Sequence, residues 1–135
     1  MRVFGLGPVV LGLALLAAAT AEAKVVRLEC AFNFDDDIYS PLVRIDIDEA
    51  KGSALVDSKL TRARAGGAVS GKVFDSAGRR TVRWTLEMQN LRAQRTRMMY
   101  SLVLFADGRQ PVLHAKPYGF SNDYSEKGTC TQVKG

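Results

Sequence analysis

The amino-acid sequence predicts an all-β domain folded as a small antiparallel β-barrel of about seven or eight strands. Several short segments alternate apolar and polar residues with a period of two, and turn residues separate these segments at hairpin spacing. Strands and helices do not alternate as they would in a parallel sheet. Antiparallel sheets of this size protect their edges by closing or by packing face to face, so a β-sandwich is the alternative fold.

Residues 1–23 are predicted to be a signal peptide. A positive residue near the N-terminus precedes an apolar run at residues 9–19, and a small-x-small cleavage site ends at Ala23. We expect cleavage before Lys24, which leaves one domain at residues 24–135 and a periplasmic or secreted protein. The apolar run is shorter than the roughly 20 residues that cross a bilayer, so no membrane span is expected after signal removal.

The chain contains two cysteines, Cys30 and Cys130. Proteins in an oxidising compartment usually pair such cysteines, so we expect a disulfide, with two free thiols as the alternative. The bond would tie the predicted first strand to the predicted last strand. Closing a loop of about 100 residues would stabilise the fold by at most about 4.7 kcal/mol through the entropy of the unfolded chain. A redox motif or a zinc site is not indicated, because no C-x-x-C pair is present.

Eight segments have strand character. They cover residues 25–34, 43–48, 53–57, 69–74, 79–88, 98–105, 112–115 and 128–133. In the fifth segment Trp84 shares a face with Val82 and Leu86, so we expect it in the core rather than stacked on a ligand.

Two connections are less regular. Residues 61–67 are predicted to be a basic, flexible connection that ends in two glycines. Residues 90–97 fit either a short helix or a wide loop, because they contain good helix formers between two strands. At most one short helix is therefore expected.

A calcium site is not predicted, although Asn33, Asp35 and Asp37 have the spacing that begins a calcium-binding loop. Ile38 stands where such a loop needs glycine, and Arg44 stands where it needs a bidentate glutamate. The aspartates are therefore interpreted as a solvated loop. We expect no metal and no cofactor.

No catalytic constellation is found. The chain lacks the Gly-x-Ser-x-Gly nucleophile motif, and its single histidine, His114, is interpreted as an ordinary strand residue. Asp46 and Asp48 could suggest a pair of catalytic carboxylates, but their place on one polar strand face favours surface charges. The protein is not predicted to be an enzyme.

Arginines are the most prominent candidate binding residues in a chain of formal net charge +5. The candidates for anion or partner binding are Arg79, Arg80, Arg83, Arg92, Arg95 and Arg97. A basic barrel could bind single-stranded nucleic acid, but export makes that partner unlikely. The alternative interpretation is that these arginines keep strand faces solvated and discourage edge pairing.

The signal, Cys30 in the first strand, the aspartate-rich loop, the repeated hairpins and the terminal Gly128-Thr129-Cys130 resemble short, uncharacterised single-disulfide proteins exported by Gram-negative bacteria. The chain is also loosely similar to the periplasmic lysozyme-inhibitor barrels, which implies a calycin-like or similar barrel. Those inhibitors insert a loop carrying serine and lysine into an enzyme cleft, and residues 121–128 are the stretch most similar to it. No functional residue is carried over from that family.

Three functions follow as hypotheses. The first is a non-enzymatic periplasmic or secreted binding module whose partner is a protein or an envelope polyanion. The alternative is a lipocalin-like carrier that holds a small apolar ligand in the mouth of the barrel. A hydrolase that uses acidic residues is the third.

Overall fold

A computed structural model describes residues 24–33, 40–89, 95–121 and 123–134. It is a closed antiparallel barrel of eight strands with one short helix, which confirms the predicted fold and not the sandwich alternative. The elements are β1 (Val25–Phe32), β2 (Leu42–Asp48), β3 (Ser53–Ser58), α1 (Lys59–Ala65), β4 (Val69–Ser76), β5 (Arg79–Gln89), β6 (Arg95–Phe105), β7 (Val112–Pro117) and β8 (Tyr124–Val133). The predicted signal peptide, most of the aspartate-rich loop and Arg92 lie outside the described residues.

The barrel closes where β1 pairs with β8. Every other pairing joins consecutive strands, whereas this one joins the two ends of the domain. Cys30 lies directly opposite Cys130 in this seam, and their sulfur atoms are bonded at 2.07 Å. The predicted disulfide is confirmed, and it crosses the one contact between strands that are far apart in sequence.

Inward-facing side chains fill the barrel. The alternation predicted for β2 and β5 is confirmed, because Ile45, Val82 and Trp84 are buried. The Trp84 ring stacks on Tyr100 with centroids 5.5 Å apart and planes inclined by 10°. The interior cavity beside this pair measures about 10 Å³ and also contacts Leu113. Such a space holds no more than about one water molecule, so the described interior is a packed core.

The barrel has two distinct ends. We call the end at which β1, β3, β5 and β7 finish the helix end, because α1 lies there beside β3 and β5. The other end, the turn end, carries the two-residue connection between β4 and β5, where Ser76 pairs with Arg79. No helix in the described part of the chain is long and apolar enough to cross a membrane.

The prediction of a flexible connection at residues 61–67 was wrong, because α1 covers residues 59–65. Ser58 caps the helix: its Oγ accepts from the Thr61 N–H at 3.1 Å, and Thr61 Oγ1 accepts from the Ser58 N–H at 2.8 Å. Gly66 ends the helix with a left-handed φ of 79°. Ser40 anchors the first turn by accepting from the Leu60 N–H at 3.0 Å. Reciprocal capping and this tertiary contact stabilise a helix that is short by itself.

Arg95, Thr96 and Arg97 belong to neither a helix nor a loop, because they begin β6. They pair with the last three residues of β5, and Glu87 lies opposite Arg97. Cross-strand pairing here overrides the helix propensity of the sequence. Residues 90–94, which join the two strands, lie outside the described residues.

Gly128 provides the closest backbone approach in the barrel seam. It lies opposite Phe32, and an added Cβ atom would collide with the Phe32 ring and the Ala31 carbonyl oxygen. We expect Gly128→Ala to lower the free energy of unfolding by about 1–3 kcal/mol, because the ring or a strand must move. Urea unfolding followed by circular dichroism measures this change.

Gly67→Ala is the matched control for this substitution, because nothing lies within 4 Å of a Cβ atom added at Gly67. Its effect should stay below about 1 kcal/mol. Equal stabilities of the two variants would contradict the tight packing at the seam.

Candidate anion-binding site

The predicted arginines divide between the two ends and the outer surface of the barrel. Arg79 and Arg83 lie exposed on the outer face of β5, while Arg95 and Arg97 lie exposed at the helix end of β6. Arg80 does not join them. The five described candidates therefore do not form one cluster, and Arg92 lies outside the described residues.

Arg80 points into the turn end of the barrel, on the same strand face as Val82. It is paired with two carboxylates at 2.8 Å, one from Asp75 and one from Glu49. Its hydrogen bonds lower the pKa of Asp75 below the ordinary value of an aspartate. These carboxylates neutralise the charge of Arg80, which lines a pocket of about 510 Å³ at the turn end together with Arg79.

We define the basic wall as the outer surface of β4, β5, β6 and β7. Its centre is a row of cross-strand neighbours in which Lys72 faces Arg83, Arg83 faces Ser101 and Ser101 faces His114. Arg83 Nε donates to Ser101 Oγ at 3.3 Å, and its guanidinium lies 5.1 Å from the centroid of the Phe74 ring. These two contacts hold the Arg83 charge flat against the wall while leaving it exposed.

Most cations of the basic wall are not neutralised. Among the described residues, no carboxylate forms an ion pair with Lys72, Arg79, Arg83, Arg95 or Lys116. Arg97 contacts Glu87 at the long distance of 3.8 Å. The basic wall therefore carries positive charge that is available to bind an anion.

The opposite surface of the barrel, on β1 and β2, is different. Arg27 pairs with Asp46 at 2.8 Å, and Arg44 pairs with Glu29 at 3.0 Å. Each arginine there meets a carboxylate on the neighbouring strand. Positive charge is thus concentrated on one side of the barrel, although both sides carry arginines.

A groove of about 410 Å³ crosses the basic wall between β4 and β5. Pairing between these strands begins at Lys72 and Arg83, while β4 continues beside β3 as far as Val69. The resulting gap is flanked by the Ser70 and Thr85 side-chain positions. The groove combines two cations with hydroxyl groups, and its lining residues are Ser53, Ser70, Gly71, Lys72, Arg83, Trp84, Thr85, Met99 and Tyr118.

A second groove of about 470 Å³ adjoins the first towards the helix end. Met99 and Tyr118 line both grooves, and the Tyr118 hydroxyl lies 3.9 Å from the Met99 sulfur. Lys116 and Phe120 complete the second groove. The two adjoining grooves are lined mainly by cations and hydroxyl groups near the centre of the wall and by aromatic rings towards the helix end.

The described residues with catalytic potential have structural partners. Asp46 pairs with Arg27, and Asp48 Oδ1 accepts from two backbone N–H groups of the following turn, at 3.1 and 3.2 Å. Ser125 Oγ lies 3.2 Å from His114 Nδ1 on the exposed outer surface. No described carboxylate is hydrogen-bonded to His114, so nothing orients this pair as a nucleophile and a base.

Residues 124–128, within the stretch that is similar to the inhibitory loop of the lysozyme-inhibitor barrels, belong to β8. Ser125 faces His114 in the β7–β8 ladder, and Lys127 faces Val112. These two side chains therefore lie on the barrel wall and not on a projecting loop.

Sequence reasoning missed most residues that line the grooves, among them Lys72, Lys116 and Tyr118. The position of Lys72 could have been found, because the two-residue turn at Ala77 and Gly78 sets a register that places it opposite Arg83. Lys116 and Tyr118 follow a longer connection whose register cannot be counted from the sequence.

No protein-family model, curated protein or solved structure matches this chain.

Proposed function

We propose that this protein is a non-enzymatic binding module, exported to the periplasm or beyond, that uses the basic wall to hold an anionic partner. The observation that carries the proposal is the concentration of unneutralised cations on one side of the barrel. Export is supported by the N-terminal sequence pattern and by the disulfide, which fits an oxidising compartment.

The grooves suit an anionic partner with some apolar character. Lys72 and Arg83 supply adjacent positive charges, and nearby hydroxyl groups can donate hydrogen bonds to oxyanions. Met99 and Tyr118 provide apolar surface beside them. A partner with both kinds of group would be held by charge attraction and by apolar contact.

A carrier of small apolar ligands receives no support from the barrel interior. The stacked Trp84 and Tyr100 rings occupy the centre, and the cavity beside them measures about 10 Å³. Ligand pockets usually measure about 300–1,000 Å³. The outer grooves have volumes in that range, so the surface is the better candidate for binding.

Binding to immobilised sulfated dextran at about 0.1 M salt tests the proposal, because exposed charges are only partly screened there. We expect the Lys72→Gln, Arg83→Gln double variant to bind roughly fivefold to tenfold more weakly than the unmodified protein. The matched control is Arg27→Gln with Arg44→Gln, which removes the same formal charge from the opposite surface of the barrel, on β1 and β2. This control should bind almost as well as the unmodified protein.

Two outcomes would contradict the proposal. Equal weakening in both double variants would mean that net charge, and not the basic wall, governs binding. Failure of the unmodified protein to bind sulfated dextran at any salt concentration would remove anion binding altogether. Circular dichroism of each variant confirms that the barrel is folded.

A further inference from the structure

The basic wall ends in an exposed aromatic tip at the helix end. Tyr118 is 50% exposed and Phe120 is 59% exposed, in the connection that follows β7. Gly119 between them has a left-handed φ of 82°, which turns the chain sharply. The Tyr118 N–H donates to the Arg97 carbonyl oxygen at 2.9 Å, so the base of the tip is fixed to β6.

Cations surround the tip. The Arg97 guanidinium lies 5.9 Å from the centroid of the Tyr118 ring, and its side chain is 58% exposed. Lys116 lines the same groove as Phe120. Arg95 lies two residues before Arg97 on the same outward face of β6, and it is also exposed. The tip thus combines exposed apolar surface with three neighbouring cationic side chains.

This combination matches the surface of a bilayer that contains anionic lipids. Aromatic side chains favour the boundary between headgroups and acyl chains, and lysine and arginine are attracted to anionic headgroups. A soluble acidic polymer could neutralise the cations, but it is fully hydrated and offers no apolar layer to cover Phe120. A bilayer offers anionic headgroups to the cations of the tip and an apolar layer beneath them to Phe120.

We propose that the rim formed by Arg95, Arg97, Lys116, Tyr118 and Phe120 docks the barrel on an anionic lipid surface, with Phe120 entering the headgroup boundary. This inference rests on the proposed function and names the class of its anionic partner. In this arrangement the barrel lies on the membrane surface. The basic wall then faces the headgroups beside the rim.

Sedimentation with lipid vesicles tests the docking. The full domain should bind vesicles of phosphatidylcholine with about one third phosphatidylglycerol, and vesicles of phosphatidylcholine alone should bind it much more weakly. Phe120→Ser should weaken binding about tenfold through lost apolar contact. Arg95→Gln with Arg97→Gln should weaken it about 25-fold, since each cation near an anionic surface contributes about fivefold.

Val25→Ser is the control, because Val25 is 58% exposed but begins β1 at the turn end, outside the basic wall and away from the rim. Its binding should change less than about twofold. Insertion depth is measured with Phe120→Trp, whose fluorescence brominated lipids should quench. Trp84, the only native tryptophan, is buried and should not be quenched. Val25→Trp should also remain unquenched.

The outcomes separate this inference from the proposed function. Binding to sulfated dextran without binding to anionic vesicles would overturn membrane docking and leave an anion-binding module. Vesicle binding that is insensitive to Phe120→Ser, with no quenching of Phe120→Trp, would overturn the insertion of the tip. Binding to neither probe would overturn both proposals.

Discussion

Replacing both cysteines by alanine should lower the free energy of unfolding by about 4 kcal/mol, one of the two largest effects that we expect from changes in this chain. The bond joins residues separated by 100 positions, and those residues are direct neighbours in the β1–β8 seam. Without it, the unfolded chain gains the conformational freedom of a very long loop. Alanine avoids placing a hydroxyl group at the fully buried Cys30 position.

Urea unfolding with circular dichroism measures the loss. Reduced protein of the natural sequence is the control, because it keeps both side chains and lacks only the covalent bond. We expect the reduced protein and the double variant to be similarly destabilised. If reduction leaves stability unchanged, the disulfide does not stabilise the barrel through chain closure, and the seam must be held by strand pairing alone.

Trp84→Ala should lower the free energy of unfolding by about 3–5 kcal/mol. Trp84 stacks on Tyr100, and the same cavity wall includes Leu86 and Leu113. Removing the indole leaves a void that inward side chains from neighbouring strands cannot fill, because closure of the barrel fixes their backbones. Circular dichroism must follow unfolding here, because the variant has no tryptophan to report fluorescence.

Phe74→Ala is the control for this substitution, because it removes another large aromatic ring from the same sheet but from the outer face. Phe74 is 46% exposed and contacts the Arg83 guanidinium. Its loss should cost less than about 1 kcal/mol. A similar cost at both positions would show that the Trp84–Tyr100 stack is not the centre of the core.

Much of the fold could be predicted from local patterns. The period-two alternation of Val43, Ile45 and Ile47 predicts one buried face, and all three side chains are buried. The same pattern in β5 predicts the buried position of Trp84. The same alternation also predicts that Arg80 points inward, because it lies two positions before the buried Val82. Its charge alone would suggest a surface position.

The candidate site was less predictable because it is assembled across strands. Arg83 was identified from the sequence, but its neighbours Lys72, Met99 and Tyr118 come from three other segments. Their proximity depends on the register of each hairpin. Only the short β4–β5 turn fixes a register that can be counted in advance.

Local sequence patterns were enough to predict the central part of each strand, the buried faces of β2 and β5, and a disulfide, because these depend on neighbouring residues or on the pairing of only two cysteines. Tertiary structure decided the rest. Closure of the sheet placed the cations of four strands on one wall, and capping by Ser58 with the contact to Ser40 made a helix of residues 59–65. These outcomes depend on groups that meet only after the barrel has folded.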